Sequence, residues 1–188
     1  MYTRVLPQLP KSQGDDEKIM ITSELEFLEF MNVNGFSCQR FEHPAVFTCA
    51  EADMHHSGIV AVSTKNLFLC DKKARRFFLV VTACEKNVDL SQLAIQLGVS
   101  HLRFGSEDNL QRLLGVTRGS VTIMGLVNDV KHRVELWVDG SIWQGEQFLC
   151  HPLVNTATLV LSRMELMRFF DLTGHVPNYF DEQEISHI

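Results

Sequence analysis

The 188-residue chain contains no C-x-x-C pair, no long uninterrupted apolar run and no excess of positive charge. Its five cysteines, Cys38, Cys49, Cys70, Cys84 and Cys150, are odd in number and widely spaced. That pattern indicates neither a disulfide framework nor a zinc site, and the cysteines read mostly as small buried apolar groups. The N-terminus carries Arg4, Pro7, Pro10 and Lys11 without an apolar core of signal-peptide length, so the expectation is a cytoplasmic protein with no membrane partner. A net charge of −6 argues against a protein that coats nucleic acid, because neutralising many phosphates needs many cations. A local contact with the end of an RNA stays open. The chain also lacks a G-x-S-x-G elbow and the glycine-rich phosphate loops G-x-x-x-x-G-K and G-x-G-x-x-G. His55-His56 is the nearest approach to a metal motif. Adjacent residues on an extended chain face opposite ways and no third ligand has suitable spacing, so no metal and no cofactor is expected.

What is present is an ordinary globular composition, 45% hydrophobic and 21% charged, of a length suited to one domain with its own core. Residues 1–20 are polar and proline-marked and read as a flexible arm, leaving 21–188 as the domain. Ser23 with Glu26 forms a capping-box pattern for a helix carrying Leu25, Phe27, Leu28, Phe30 and Met31, stopped at Asn34-Gly35. Short strands are expected near 37–41 and 58–62. Asp89 or Ser91 caps a helix ended by Gly98, a brief strand spans 101–104, and Ser106 caps a helix stopped by Gly115. Strands are then expected at 121–127, 133–139 and 156–162. Ser162 with Glu165 is a second capping box, and the chain ends in an extended piece near Phe180. Strands mixed with short helices indicate an α+β, or mixed α/β, domain on a central, largely antiparallel, barrel-like sheet.

The stretch TKNLFLCD at 64–71 places Lys65 at the head of an apolar strand, and a basic turn then leads into FFLVV at 77–81. Such a lysine is ordinarily solvated, but its position also lets the ammonium face a cleft. The turn residues Lys72, Lys73, Arg75 and Arg76 are a charged hairpin tip able to touch phosphates. His151 precedes Pro152, which biases it to an extended conformation at a strand or loop end.

TKNLFL at 64–69 with its DKK continuation, LRFGSEDNLQRLLGVTRGSVTIMGLVND at 102–129 and CHPLVNTATLVLS at 150–162 resemble the prolyl-tRNA synthetase-associated editing-domain family, also called YbaK/ProX. HPAVFTCAEA at 43–52 resembles that family's first substrate-wall segment. The resemblance implies a trans-editing deacylase that hydrolyses the ester of mischarged tRNA(Pro), most closely the Ala-tRNA(Pro) branch, with water as nucleophile. It implies Lys65 as the principal catalytic-site residue, His151 as a positioning group for the terminal adenosine or the ester, and the backbone of 125–128 (Gly125, Leu126, Asn128) at the reacting centre. Phe47, Thr48, Val62 and Phe68 are the candidate pocket walls, with Asn66, Asn155 and Thr156 as further substrate contacts. Arg103 joins Lys72, Lys73, Arg75 and Arg76 as candidate tRNA contacts. The implied partners are the tRNA(Pro) acceptor end and prolyl-tRNA synthetase or an elongation factor, met by a monomer. Two alternatives stand beside this reading: a deacylase for serine, threonine or cysteine, and a non-catalytic module that binds an aminoacyl-tRNA or a synthetase.

Overall fold

The computed structural model describes residues 20–46, 48, 51–52, 54 and 58–181. The expected arm, together with Phe47, His55 and His56, lies outside the described residues, apart from residue 20.

The domain is α+β, as expected, but among the described residues eight strands form two sheets where one central sheet was expected. Five strands, β2 (Thr64–Asp71), β3 (Phe77–Ala83), β4 (Leu102–Phe104), β5 (Val134–Asp139) and β8 (Asn178–Phe180), lie in the order β4-β2-β3-β5-β8. Within it β2 is antiparallel to both β3 and β4, whereas β3–β5 and β5–β8 are parallel. The other sheet, β1 (Gln39–Glu42), β7 (Ala157–Ser162) and β6 (Gln147–Cys150), is antiparallel in the order β1-β7-β6.

The five-stranded sheet is covered on both faces, which is why β3 reads as an unbroken apolar run instead of an alternating one. Leu79 and Val81 enter a large core with Leu136, Val138, Phe27 and Phe169. Phe78 and Val80 enter a smaller one under Leu93, Ala94 and Leu97. The small core is roofed by α2 (Leu90–Gln96), capped by Asp89, whose carboxylate accepts from the Ser91 and Gln92 amides. Helices α1 (Glu24–Val33), α3 (Glu107–Leu114) and α4 (Arg163–Thr173) contribute to the large core.

The helix boundaries follow the caps. Ser23 and Glu26 complete a reciprocal capping box. Ser106 caps α3 and Gly115 ends it in the left-handed conformation, a role glycine fills without a Cβ penalty. Ser162 accepts from the Glu165 amide, while the Glu165 carboxylate turns instead to Arg168.

Two expected strands are not strands. Residues Ile123–Asn128 form a 3-10 helix, capped by the Thr122 hydroxyl on the Met124 amide. Gly125 there backs onto Leu114, where an added Cβ would lie 3.0 Å from the Leu114 Cβ. In the segment expected near 58–62, only Val62 makes a bridge, a parallel one to Phe148.

That bridge joins the two sheets. The Val62 amide donates to Gln147 O, the Leu149 amide donates to Val62 O, and the Thr64 hydroxyl donates to Leu149 O. The head of β2 is thereby fixed against β6.

Candidate functional site

A cavity of about 200 Å³ opens at this junction. The head of β2 supplies Ser63, Thr64, Lys65 and Asn66. Val46 and Thr48 come from the segment after β1, Leu149 and His151 from the end of β6, and Thr158 from β7. Gly119 and Val121 close it from the loop after α3, and Cys84 from the turn after β3.

Side chains two apart on a strand share a face. Lys65 therefore lies on the side of β2 that carries Leu69 into the small core, and it stands opposite Thr82 of β3. Its ammonium donates to the Lys86 carbonyl. An ammonium has three N–H donors, so two are left for a substrate oxygen. Lys86 in turn places its own ammonium 2.7 Å from Asp139 Oδ2. Asp139 is fully buried at the end of β5 and also accepts from the Thr82 hydroxyl at 2.9 Å and from the amide and hydroxyl of Ser141. Burial pushes its carboxyl up, but the hydrogen bonds from Lys86, Ser141 and Thr82 outweigh it and hold the group below the ordinary aspartate value.

Across the cavity, His43 is buried and clamped. Its Nδ1 lies 2.8 Å from Pro44 O, which can only accept, so Nδ1 carries the hydrogen. Its Nε2 lies 3.0 Å from the Thr158 hydroxyl. In the neutral ring Nε2 accepts, and Thr158 donates to it. The His151 ring lies 6.4 Å from that of His43, centroid to centroid, and its carbonyl accepts from the Thr122 hydroxyl at 2.7 Å. Asn155 holds Val46 at both ends: its amide group donates to Val46 O, and its carbonyl accepts from the Val46 amide. Asn66 lines the cavity, and its Oδ1 is buried without a hydrogen-bond partner.

The sequence-derived candidates separate into two groups. Lys65, His151, Thr48 and Asn66 line the cavity, with Asn155 directly behind Val46. Val62, Phe68, Gly125, Leu126 and Asn128 do not. Val62 links the sheets, and Phe68 stacks on Phe77 in the core at a ring separation of 5.8 Å. Gly125 and Leu126 are buried in the 3-10 helix. Asn128 is a clamp, donating to Ile21 O and Leu114 O and accepting from the Ile21 amide. Thr156 is exposed, and its carbonyl accepts from the His43 amide.

The basic hairpin tip stands at the other end of β2. At about 3.3 Å per residue, the run from Lys65 to Lys72 is about 23 Å. Arg76 there is committed to Glu135 through two hydrogen bonds of 2.7 and 2.8 Å and lies over the Phe78 ring. Arg103, opposite Cys70, also lies toward that end.

His43, Thr158, Lys86 and Asp139 escaped sequence reading. The HPAVFTCAEA segment pointed toward His43, but nothing local marks an aspartate at a strand end as the partner of a lysine more than fifty positions earlier. Cys84 is disulfide-bonded, which the odd and scattered cysteine positions do not announce. Burial pushes the free Cys150 thiol up to about 12, a poor nucleophile at neutral pH. Among the described residues, no three His, Cys, Asp or Glu side chains come together as a metal site, and no helix is long and apolar enough to cross a membrane.

Comparison with known proteins aligns residues 43–169 with the aminoacyl-tRNA editing domain. A Danio rerio protein named prolyl-tRNA synthetase associated domain-containing protein 1 is 38% identical over 154 residues, covering 81% of this chain and 82% of its own. The prolyl-tRNA editing protein ProX of Acetoanaerobium sticklandii is 36% identical over 134 residues, covering 71% and 82%. A crystal structure of a candidate trans-editing enzyme for prolyl tRNA synthetase superposes with a TM-score of 0.64 at 17% identity, over 87% of this chain and 99% of that one, a likeness of fold.

Proposed function

Since the chain belongs to the aminoacyl-tRNA editing domain family, we propose that it is a deacylase that hydrolyses the ester of a mischarged tRNA, with Ala-tRNA(Pro) as its substrate. The observation that carries this reading is the placement of Lys65, its ammonium held by the Lys86 carbonyl, on the wall of a cavity of about 200 Å³, where Thr48, Asn66 and His151 also converge. An ammonium fixed by a carbonyl is suited to hold the terminal phosphate or to stabilise the oxyanion that forms as water adds to the ester carbonyl. Water is the nucleophile, and the terminal ribose hydroxyl of the tRNA is suited to activate it. Val46, Thr48, Val121 and Leu149 form a partly apolar wall that admits a small side chain and limits larger ones. Steric limits are needed because an apolar contact separates side chains one methylene apart by only about 1–3 kcal/mol. The tRNA acceptor end enters at this mouth, and recognition is confined to that end because the molecule is acidic.

The test is deacylation of Ala-tRNA(Pro), with Pro-, Ser- and Cys-tRNA(Pro) as comparators and Lys65→Ala as control. Loss of alanine ahead of the other esters, slowed about 100-fold or more by the substitution, is the expected result. Faster turnover of the serine or cysteine ester reassigns the substrate. Binding of charged tRNA without turnover of any ester replaces the enzyme with a binding module.

A further inference from the structure

Lys65 is held by a carbonyl that belongs to another lysine, and that lysine is tied to the most deeply buried carboxylate of the sheet. The Lys86 carbonyl accepts from the Lys65 ammonium, and Lys86 lies in the turn leaving β3, where its amide makes a long bond of 3.3 Å to Ala83 O. Cys84, which is disulfide-bonded and whose amide donates to Ser63 O at 3.1 Å, anchors the start of this turn. The Lys86 side chain ties its other end to the sheet, running back so that its ammonium meets Asp139 Oδ2 at 2.7 Å. Asp139 is immobilised by three further donors, the Thr82 hydroxyl and the amide and hydroxyl of Ser141. Thr82 is also the residue registered opposite Lys65, so both anchors of the lysine, the strand beside it and the acceptor at its tip, end on one carboxylate.

The geometry points to Lys86 and Asp139 as positioning residues for Lys65: their ion pair sets the backbone carbonyl that aims the Lys65 ammonium into the cavity. This rests on the deacylase reading for its consequence in rate, but the arrangement itself can be read without a substrate. Neither residue touches the ester. They act by fixing where the charge of Lys65 stands, and a displacement of about 1 Å at a reacting centre can cost about 100-fold in rate.

The experiment uses the full chain with Lys86→Met, Lys86→Arg and Asp139→Asn, each also made in a Lys65→Ala background. Lys86→Arg keeps a cation beside the buried carboxylate, so it is the variant that stays folded if breaking the pair in Lys86→Met or Asp139→Asn proves too damaging. Lys86→Met is expected to lower kcat for the ester by about 10- to 100-fold with KM little changed. Lys86→Arg, which keeps the cation, restores most of the rate. Neither Lys86→Met nor Asp139→Asn lowers the residual rate of Lys65→Ala any further. Reactivity of the Lys65 amine toward an acylating reagent, followed by peptide mass spectrometry, rises several-fold in Lys86→Met. Losses that multiply with that of Lys65→Ala, or a Lys86→Met protein unchanged in both kcat and Lys65 labelling, would overturn the assignment. If the wild-type protein turns over no ester, the proposed function fails, and labelling alone decides this inference.

Discussion

Asp139 carries a charge in a place where burial opposes it, and this makes it a probe of acid stability. Its carboxyl is held below the ordinary aspartate value in the folded protein by Lys86, Ser141 and Thr82, against the upward push of burial. The folded state therefore binds its proton more weakly than the unfolded chain does. The stabilisation is complete above the unfolded value, about 3.9, and is lost as the pH falls through the lower folded value. Chemical denaturation of the wild type across pH 2–6 is expected to show this acid limb, and Asp139→Asn to lack Asp139's share of it. An Asp139→Asn profile parallel to that of the wild type would show that the carboxylate contributes nothing there. At the cavity, Lys65→Arg tests shape against charge. A guanidinium is planar and bulkier than an ammonium and cannot take the same place against the Lys86 carbonyl, so the variant is expected to stay close to Lys65→Ala in deacylation rate. Near wild-type turnover would show that charge alone suffices.

The helices and hairpins were legible in the sequence wherever the termination chemistry is local. Ser23, Asp89, Ser106 and Ser162 cap the helices they announce, and the hairpin of β2 and β3 forms where its apolar strands and basic tip place it. The run at 121–127 was misleading for a physical reason: a short apolar stretch buried on every side has no period to report, and strand and helix look alike in it. Its fate is decided by Thr122 capping Met124 and by Gly125 lying against Leu114, facts of tertiary contact. The site was legible only in part for the same reason. Lys65 and His151 belong to recognisable blocks, whereas Lys86 and Asp139 meet only because β3 and β5 pair in parallel. Two predictions belong to the elements. Asn128→Ala removes three hydrogen bonds that tie Ile21 and Leu114 to the 3-10 helix, and is expected to cost about 2–3 kcal/mol in urea unfolding. Gly115→Ala strains a residue at φ 70° and brings a Cβ within 2.5 Å of Asn128 Nδ2, so it should destabilise by more than the ~1 kcal/mol of an ordinary left-handed alanine. A loss below about 0.5 kcal/mol in either variant would mean that this joint is not tightly packed.

At the scale of the whole molecule, the proposed function meets a limit of charge and distance on how a tRNA can lie. The net charge is −6, and the basic hairpin tip is about 23 Å along β2 from Lys65. Recognition through the acceptor end alone engages few phosphates. The slope of log kcat/KM against log salt is expected to be shallower than about −3, the value for three or four neutralised phosphates. A steeper slope would mean that the tRNA wraps the molecule and reaches the tip. The order of synthesis adds one more consequence. Gln39, early in the chain, is registered against Val160, and the cavity takes Val46 and Lys65 from the first half but His151 and Thr158 from the last quarter. A chain emerging from the ribosome thus carries its lysine long before it has a pocket. On the deacylase reading, a partly made copy has no cavity in which to act on the charged tRNAs crowded around the machine producing it, because β6 and β7, which complete the sheet with β1, are made late.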